Sequence, residues 1–384
     1  MAIPLPSTRH LYFFPAAIKL RFLLALCMTM SVLCARADSY RFQHIDSRRG
    51  LPHQQVEALA QDSAGYLWIG TRNGLSRFDG YALHTYYHTA SPASLRHNLV
   101  HALHVDRRHR LWAATETGIC RYRPESDDFR CYDTPSGLFW SIAEGADGRL
   151  FFGGAALCLY DEPRDTLLVL PSMADDFTVA MAVDGRGQLY AATNSELLRY
   201  DTTLSHITRL PRELYEDFMG DTGGAAPLTI APLTIDSQGR LWMGRNGQGV
   251  QCLDLQGDAP RRVSVEDITG GVVRCITEDA WHRIWLGTEN GIAVLHPDGH
   301  RDIIRHRLQD AGSLSDNAIY AILSDADQNV WVGSYFGGVD CLIATGQQFL
   351  HFEPSAEPGE LQARVPRMMV EEPSAMEAML EAEK

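Results

Sequence analysis

Lysine is nearly missing from this chain. Lys19 and Lys384 are the only two in 384 residues, and arginine carries the rest of the positive charge. That bias reads as genomic composition and points to no function. Basic charge is scarce altogether: 34 Lys and Arg stand against 48 Asp and Glu, for a formal net charge of −14. The balance argues against nucleic acid and anionic membrane as partners, because both are gripped through clustered basic side chains. Beyond residue 37 no apolar run approaches the roughly 20 residues that a transmembrane helix needs. No Cys-x-x-Cys pair or His-rich spacing occurs, so no metal and no cofactor is expected.

The first 37 residues have a different character. Lys19 and Arg21 precede an apolar run from Phe22 to Leu33, and Ala35-Arg36-Ala37 fits the small-x-small rule for a secretory signal. The run is too short to span about 30 Å of hydrocarbon. Cys27 and Cys34 both follow Leu, unlike a lipoprotein site. The expectation is a signal peptide over 1–37 and a periplasmic chain after it. Removing Arg9, Lys19, Arg21 and Arg36 takes the net charge from −14 to −18. Six cysteines then remain: Cys120, Cys131, Cys158, Cys252, Cys275 and Cys341. Cys120 and Cys131 flank a hairpin in which Tyr122 would face Phe129 and Arg123 would face Asp128. That register sets the two cysteines opposite each other as a candidate disulfide. The other four read as small buried hydrophobes.

What the chain has in plenty is one repeated unit. Asp62-Ser-Ala-Gly-Tyr-Leu-Trp68-Ile-Gly70-Thr71 recurs around Asp106 and Trp112, Asp236 and Trp242, Asp279 and Trp285, and Asp325 and Trp331. Two looser copies keep the aromatic position with Phe151 and Tyr190. The aromatic positions are spaced 44, 39, 39, 52, 43 and 46 residues apart. A period of about 40–45 residues made of strand-like pieces marks β-propeller blades. Each unit reads as four short strands: in the first, Val56 to Ala60 is innermost, then Tyr66 to Thr71, Leu75 to Phe78 and Tyr81 to Tyr87. One four-stranded sheet cannot bury both faces, whereas seven around an axis bury each against its neighbour. The fold class predicted is all-β, a single seven-bladed propeller over residues 38–352. The seven aromatic positions are expected at equivalent sites between blades.

Closure of the ring is also legible. Phe42-Gln-His-Ile45 precedes Gly50-Leu51 at the spacing by which an outer strand precedes the next unit, yet no unit comes before it. It is predicted to complete the seventh blade by pairing with Val339 to Ile343, leaving the similar segment Phe349 to Phe352 loosely held. The interval of 52 contains a loop over 210–227 and a tandem Ala226-Pro-Leu-Thr-Ile230, Ala231-Pro-Leu-Thr-Ile235; it reads as a neutral insertion, with a lid or a partner contact as the alternatives. Residues 353–384 form an acidic tail with Pro and Met, disordered or in a short helix.

One position departs from the invariance of the scaffold. Second in the inner strand, the units place Glu57, His101, Trp140, Val179, Ala231, Arg274 and Tyr320, while the flanking residues stay apolar. A varied polar or aromatic position on a constant frame suits a binding mouth. The turns between second and third strands, with Arg72, Glu116, Glu289, Tyr335 and Phe336, should open on the same face. The candidate ligand-binding residues are Glu57, His101, Trp140, Arg274, Tyr320, Arg72, Glu289 and Tyr335; no catalytic residue is assigned.

Gly50-Leu51-Pro52…Gln61-Asp62…Gly65-Tyr-Leu-Trp-Ile-Gly-Thr-Arg-Asn-Gly-Leu-Ser-Arg-Phe-Asp-Gly80 closely resembles the two-component regulator propeller, a repeat of periplasmic sensor regions in hybrid two-component proteins. The resemblance covers about 40–352 and is looser in the third and fourth units. It implies a sensor of a two-component, phosphorelay system, commonly responsive to oligosaccharides, with a second propeller, an immunoglobulin-like domain and a histidine kinase as further domains or partners. Dimerisation would run through those domains. This chain carries one propeller and no phospho-acceptor or nucleotide-binding motif, so it is not itself expected to be an enzyme. Two alternatives stay open: a propeller-scaffold enzyme, either a lyase or a glycoside-cleaving one with carboxylates about 5–10 Å apart, and a secreted propeller that only binds protein.

Overall fold

A computed structural model describes residues 40–134, 137–171, 177–194, 196–214, 232–245, 249–257, 259–265 and 271–343. Within them the strands form seven antiparallel four-stranded sheets. Inner strands of adjacent sheets touch all the way round, the last against the first, so the sheets close into a seven-bladed propeller. Two 3-10 turns, Ser47–Arg49 and Arg212–Leu214, are the helical elements among the described residues, and no helix there is long and apolar enough to cross a membrane.

The first blade is Val56–Gln61, Leu67–Thr71, Gly74–Phe78 and Leu83–Tyr86, so its outer strand starts two residues later than the sequence suggests. The seventh takes Ile319–Ser324, Val330–Ser334 and Val339–Leu342 from its own unit and Phe42–Ile45 from the start of the chain. Phe42 pairs with Leu342 and Ile45 with Val339, as the closure pattern predicts. Residues 1–37, expected to be a signal peptide, residues 215–227 of the loop over 210–227, Phe349 to Phe352 and the acidic tail lie outside the described residues.

Apolar burial is divided among the seams. One buried cluster lies between each pair of neighbouring blades, and the seven repeat aromatics distribute one to each. Trp68, Trp112 and Trp285 are fully buried, while Trp331 is partly buried against the first blade. The repeated Asp explains why the large residue is usually Trp. One oxygen of Asp279 accepts the backbone N–H groups of Trp281 and Arg283, at 3.0 and 2.9 Å, and shapes the hairpin. The other accepts the Trp285 indole N–H at 2.7 Å and the Arg283 Nε–H at 2.6 Å. Asp62, Asp106, Asp236 and Asp325 hold their tryptophans in the same way at 2.7–2.9 Å. The glycine two residues after Trp has a packing cause: a Cβ on Gly70 would come within 2.9 Å of Val100 Cγ1 on the next inner strand.

Candidate ligand-binding site

In six blades the inner strand slips by one residue against its partner at the same place. The slips fall between Val56 and Ala58, Val100 and Ala102, Phe139 and Ser141, Thr178 and Ala180, Val273 and Cys275, and Ile319 and Ala321. The residues left out of the ladder are Glu57, His101, Trp140, Val179, Arg274 and Tyr320. A β-bulge frees one residue from pairing and re-aims its side chain. The varied position in the sequence is therefore a ring of bulges, each next to a buried anchor such as Val56, Val100 or Ile319. The seventh member, Ala231, lies outside the described residues.

The turns between second and third strands open on this face. Backbone N–H groups of Arg72, Glu116, Glu289 and Tyr335 donate to the carbonyls of Gln55, Leu99, Val272 and Ala318, just ahead of the inner strands. Slot and turn then pair within blades. His101 Nε2 lies 2.6 Å from the Glu116 carboxylate, and Arg274 Nε donates to Glu289 at 3.1 Å. The Arg274 guanidinium also covers the Tyr320 ring at 5.3 Å, and Tyr320 meets Tyr335 at 5.3 Å between centroids. Trp140 contacts His101 at 6.1 Å and Phe177 at 5.8 Å, and packs on the cluster that holds Val179. It is partly buried.

Glu57 is the electrostatic centre of the ring. Burial raises its pKa above the ordinary carboxylate value; the Gln55 amide and the positive charge of His101, Arg72 and Arg274 oppose the shift. Burial likewise raises the Tyr320 phenol. The predicted residues thus form a coupled set around the axis, largely satisfied by one another.

Beside the axis, at the seam between the seventh and first blades, lies a cavity of about 590 Å³. The first blade supplies Arg72 and the connector Pro52 to Gln55; the seventh supplies Tyr335 and Phe336; Ser47 follows the closing strand. Of the eight predicted residues, only Arg72 and Tyr335 line it. His53, Gln54 and Gln55 were not anticipated, because they belong to a connector with no strand pattern. Their signal was the predicted closure itself, which forces that connector over the seam.

Elsewhere, Cys120 and Cys131 stand opposite each other in the ladder, with Tyr122 against Phe129 and Arg123 against Asp128, and their sulfur atoms are joined.

Residues 50–73, 267–290 and 313–336, in the first, sixth and seventh units, match the family described as two component regulator propeller. Among curated proteins no sequence matches. In fold, the chain is similar to a structure described as the extracellular domain of a hybrid two component system from B. thetaiotaomicron, with TM-score 0.67, 20% identity, and coverage of 79% of this chain and 42% of that one. A second, described as the extracellular domain of a one component system of the same organism, gives TM-score 0.64 and 20% identity over 79% of this chain and 40% of that one. The chain spans about two fifths of the length of these structures. Virginiamycin B lyase from Staphylococcus aureus is similar at TM-score 0.59 and 14% identity, over 79% of this chain and 99% of the lyase. Identities this low speak for the fold alone: the chain is a seven-bladed β-propeller, and three of its seven units match the two component regulator propeller repeat.

Proposed function

We propose that this chain is the ligand-recognition propeller of a two-component sensor, acting outside the cytoplasm and responding to a carbohydrate. The observation that carries the reading is the ring of bulges. A constant frame places a different side chain at the bulge of each of six blades, which is the arrangement of a reader. The repeat family and the extracellular sensor domains that share the fold support it. The eight side chains are read as recognition groups, not catalytic ones, since His101, Arg274 and Glu57 are each committed to a neighbour. In a complete sensor the kinase would lie on other domains or on a partner protein.

Calorimetry against pools of oligosaccharides tests this. Binding heat that falls in Trp140→Ala and Tyr320→Ala is expected. Heat from no pool with this chain, alongside binding by a longer polypeptide, would place recognition in other domains.

A further inference from the structure

Around the axis His101 is paired with Glu116 and Arg274 with Glu289, whereas Arg72 at the seam cavity reaches Glu57 only by way of the Gln55 amide. The Arg72 side chain is exposed and forms no ion pair among the described residues; its one side-chain hydrogen bond there is a long one, 3.5 Å to Gln55 Oε1. Gln55 itself is 5% exposed and donates its amide N–H to Glu57, so it forms a fixed floor whose oxygen faces the guanidinium. His53 Nδ1 accepts the Gln55 backbone N–H at 3.0 Å, which leaves Nε2 as the proton-bearing nitrogen of a neutral ring. Across the cavity, Tyr335 and Phe336 stand edge to face at 4.5 Å between centroids, and Phe336 is 67% exposed. A large exposed aromatic beside a basic, donor-rich wall is unusual on a chain with net charge −14.

We propose that the seam cavity is a binding site for a six-membered ring bearing a carboxylate, with the ring on Tyr335 and Phe336 and the carboxylate on Arg72. The proposal rests on the ligand-recognition reading and narrows its ligand class. A planar guanidinium receives a carboxylate through two parallel N–H groups, whereas a hydroxyl engages only one. The aromatic pair offers the apolar face that a pyranose or a benzene ring presents. His53 Nε2 adds a third donor, and about 590 Å³ is room for more than one ring. Because the walls come from the first and last blades, the bound ring would also bridge the seam at which the propeller closes.

The test is calorimetry on the whole chain with three probes: trigalacturonate, its methyl ester, and 4-hydroxybenzoate. The ester keeps the sugar and removes the charge; hydroxybenzoate keeps the charged ring and removes the sugar. Trigalacturonate is expected to bind, and to weaken about tenfold or more as the ester or in Arg72→Gln, the scale of one charge-assisted hydrogen-bond pair. Phe336→Ala should weaken it comparably, and Arg164→Gln, on an exposed hairpin of the third blade, should leave it unchanged. Binding by hydroxybenzoate as well keeps the site and assigns it to the charged ring in general. Equal binding of ester and acid, or indifference to Arg72→Gln, overturns the carboxylate site while sparing a carbohydrate sensor. Heat from neither carboxylate overturns it too, and neutral oligosaccharide pools then decide separately on the sensor reading.

Discussion

A single carboxylate explains most of what repeats in this sequence. Each repeat Asp shapes a hairpin with one oxygen and holds the indole of its Trp with the other. The third blade shows what happens when the arrangement lapses: Gly145 stands where Asp is expected and Phe151 where Trp is expected, so acceptor and donor are lost together. This predicts coupling in the second blade. Asp106→Gly should leave the buried Trp112 indole without its acceptor and take the hairpin bonds from the N–H groups of Arg108 and Arg110, costing about 3 kcal/mol. Trp112→Phe should leave the nearly buried Asp106 one donor short, costing about 1–2 kcal/mol. The double variant, which copies the third blade, should fall short of the sum by about 1 kcal/mol or more in denaturant titration. Strict additivity would mean that the two residues recur together for separate reasons. Gly70 offers a simpler check. Alanine there must push against Val100 and part the first two blades, so a loss of about 1–3 kcal/mol is expected in the same titration.

At the level of strands, each blade has to fasten an outer strand that is otherwise an exposed edge. At one cross-strand position the fastening differs by blade. Ser76 shares a hydroxyl hydrogen bond of 2.8 Å with Thr85, Cys120 bonds Cys131, and Asp340 meets His44. In a chain beginning at Asp38, alkylation in denaturant should therefore label four thiols before reduction and six after. Cys131→Ser should cost about 3 kcal/mol, the loop-closure value for so short a ring. Six labelled thiols without reduction would show that the pair stays open. The hairpin register was readable in advance because Arg123 and Asp128, with Tyr122 and Phe129, allow one sensible pairing. The blades were readable because Asp, Trp and Gly each meet a requirement that returns in every unit. The seam cavity was not, because Pro52 to Gln55 obeys no period and acquires neighbours only when the ring closes. The varied position was visible as variation, but its cause, a bulge in six of the seven inner strands, is a property of backbone pairing that residue types do not spell out.

For the whole molecule, the consequence of closure is that one blade is held by a strand more than 290 residues away in sequence. Phe42 to Ile45 is joined to Val339 to Leu342 by the ladder and by one side-chain contact of special kind. His44 Nδ1 lies 2.6 Å from the Asp340 carboxylate, which is fully buried, and Nε2 lies 2.8 Å from the Ala311 carbonyl. Both partners are acceptors, so both bonds require both ring nitrogens to carry protons. A neutral ring must turn a lone pair toward one of them. The bond to Asp340 is the main cause of a raised His44 pKa, helped by Ala311 and by the negative charge of Asp340 and Asp46, and opposed by burial. Nearby, Asp46 is paired with Arg48 and Asp310 with Arg41. A histidine whose pKa is higher folded than unfolded stabilises the fold fully below its unfolded value, about 6.5, and that contribution fades as pH rises through the folded value. The thermal midpoint should accordingly decline as pH increases from about 6 through that window, and hydrogen exchange at Phe42 to Ile45 should quicken more than at Val56 to Gln61. In His44→Gln, which can satisfy only part of the site, the decline should flatten while the midpoint at low pH drops. A wild-type midpoint that is level across the window, or a slope that survives in His44→Gln, would remove His44 as the closing contact and leave the ring held by its ladder and by the burial of Phe42 and Ile45.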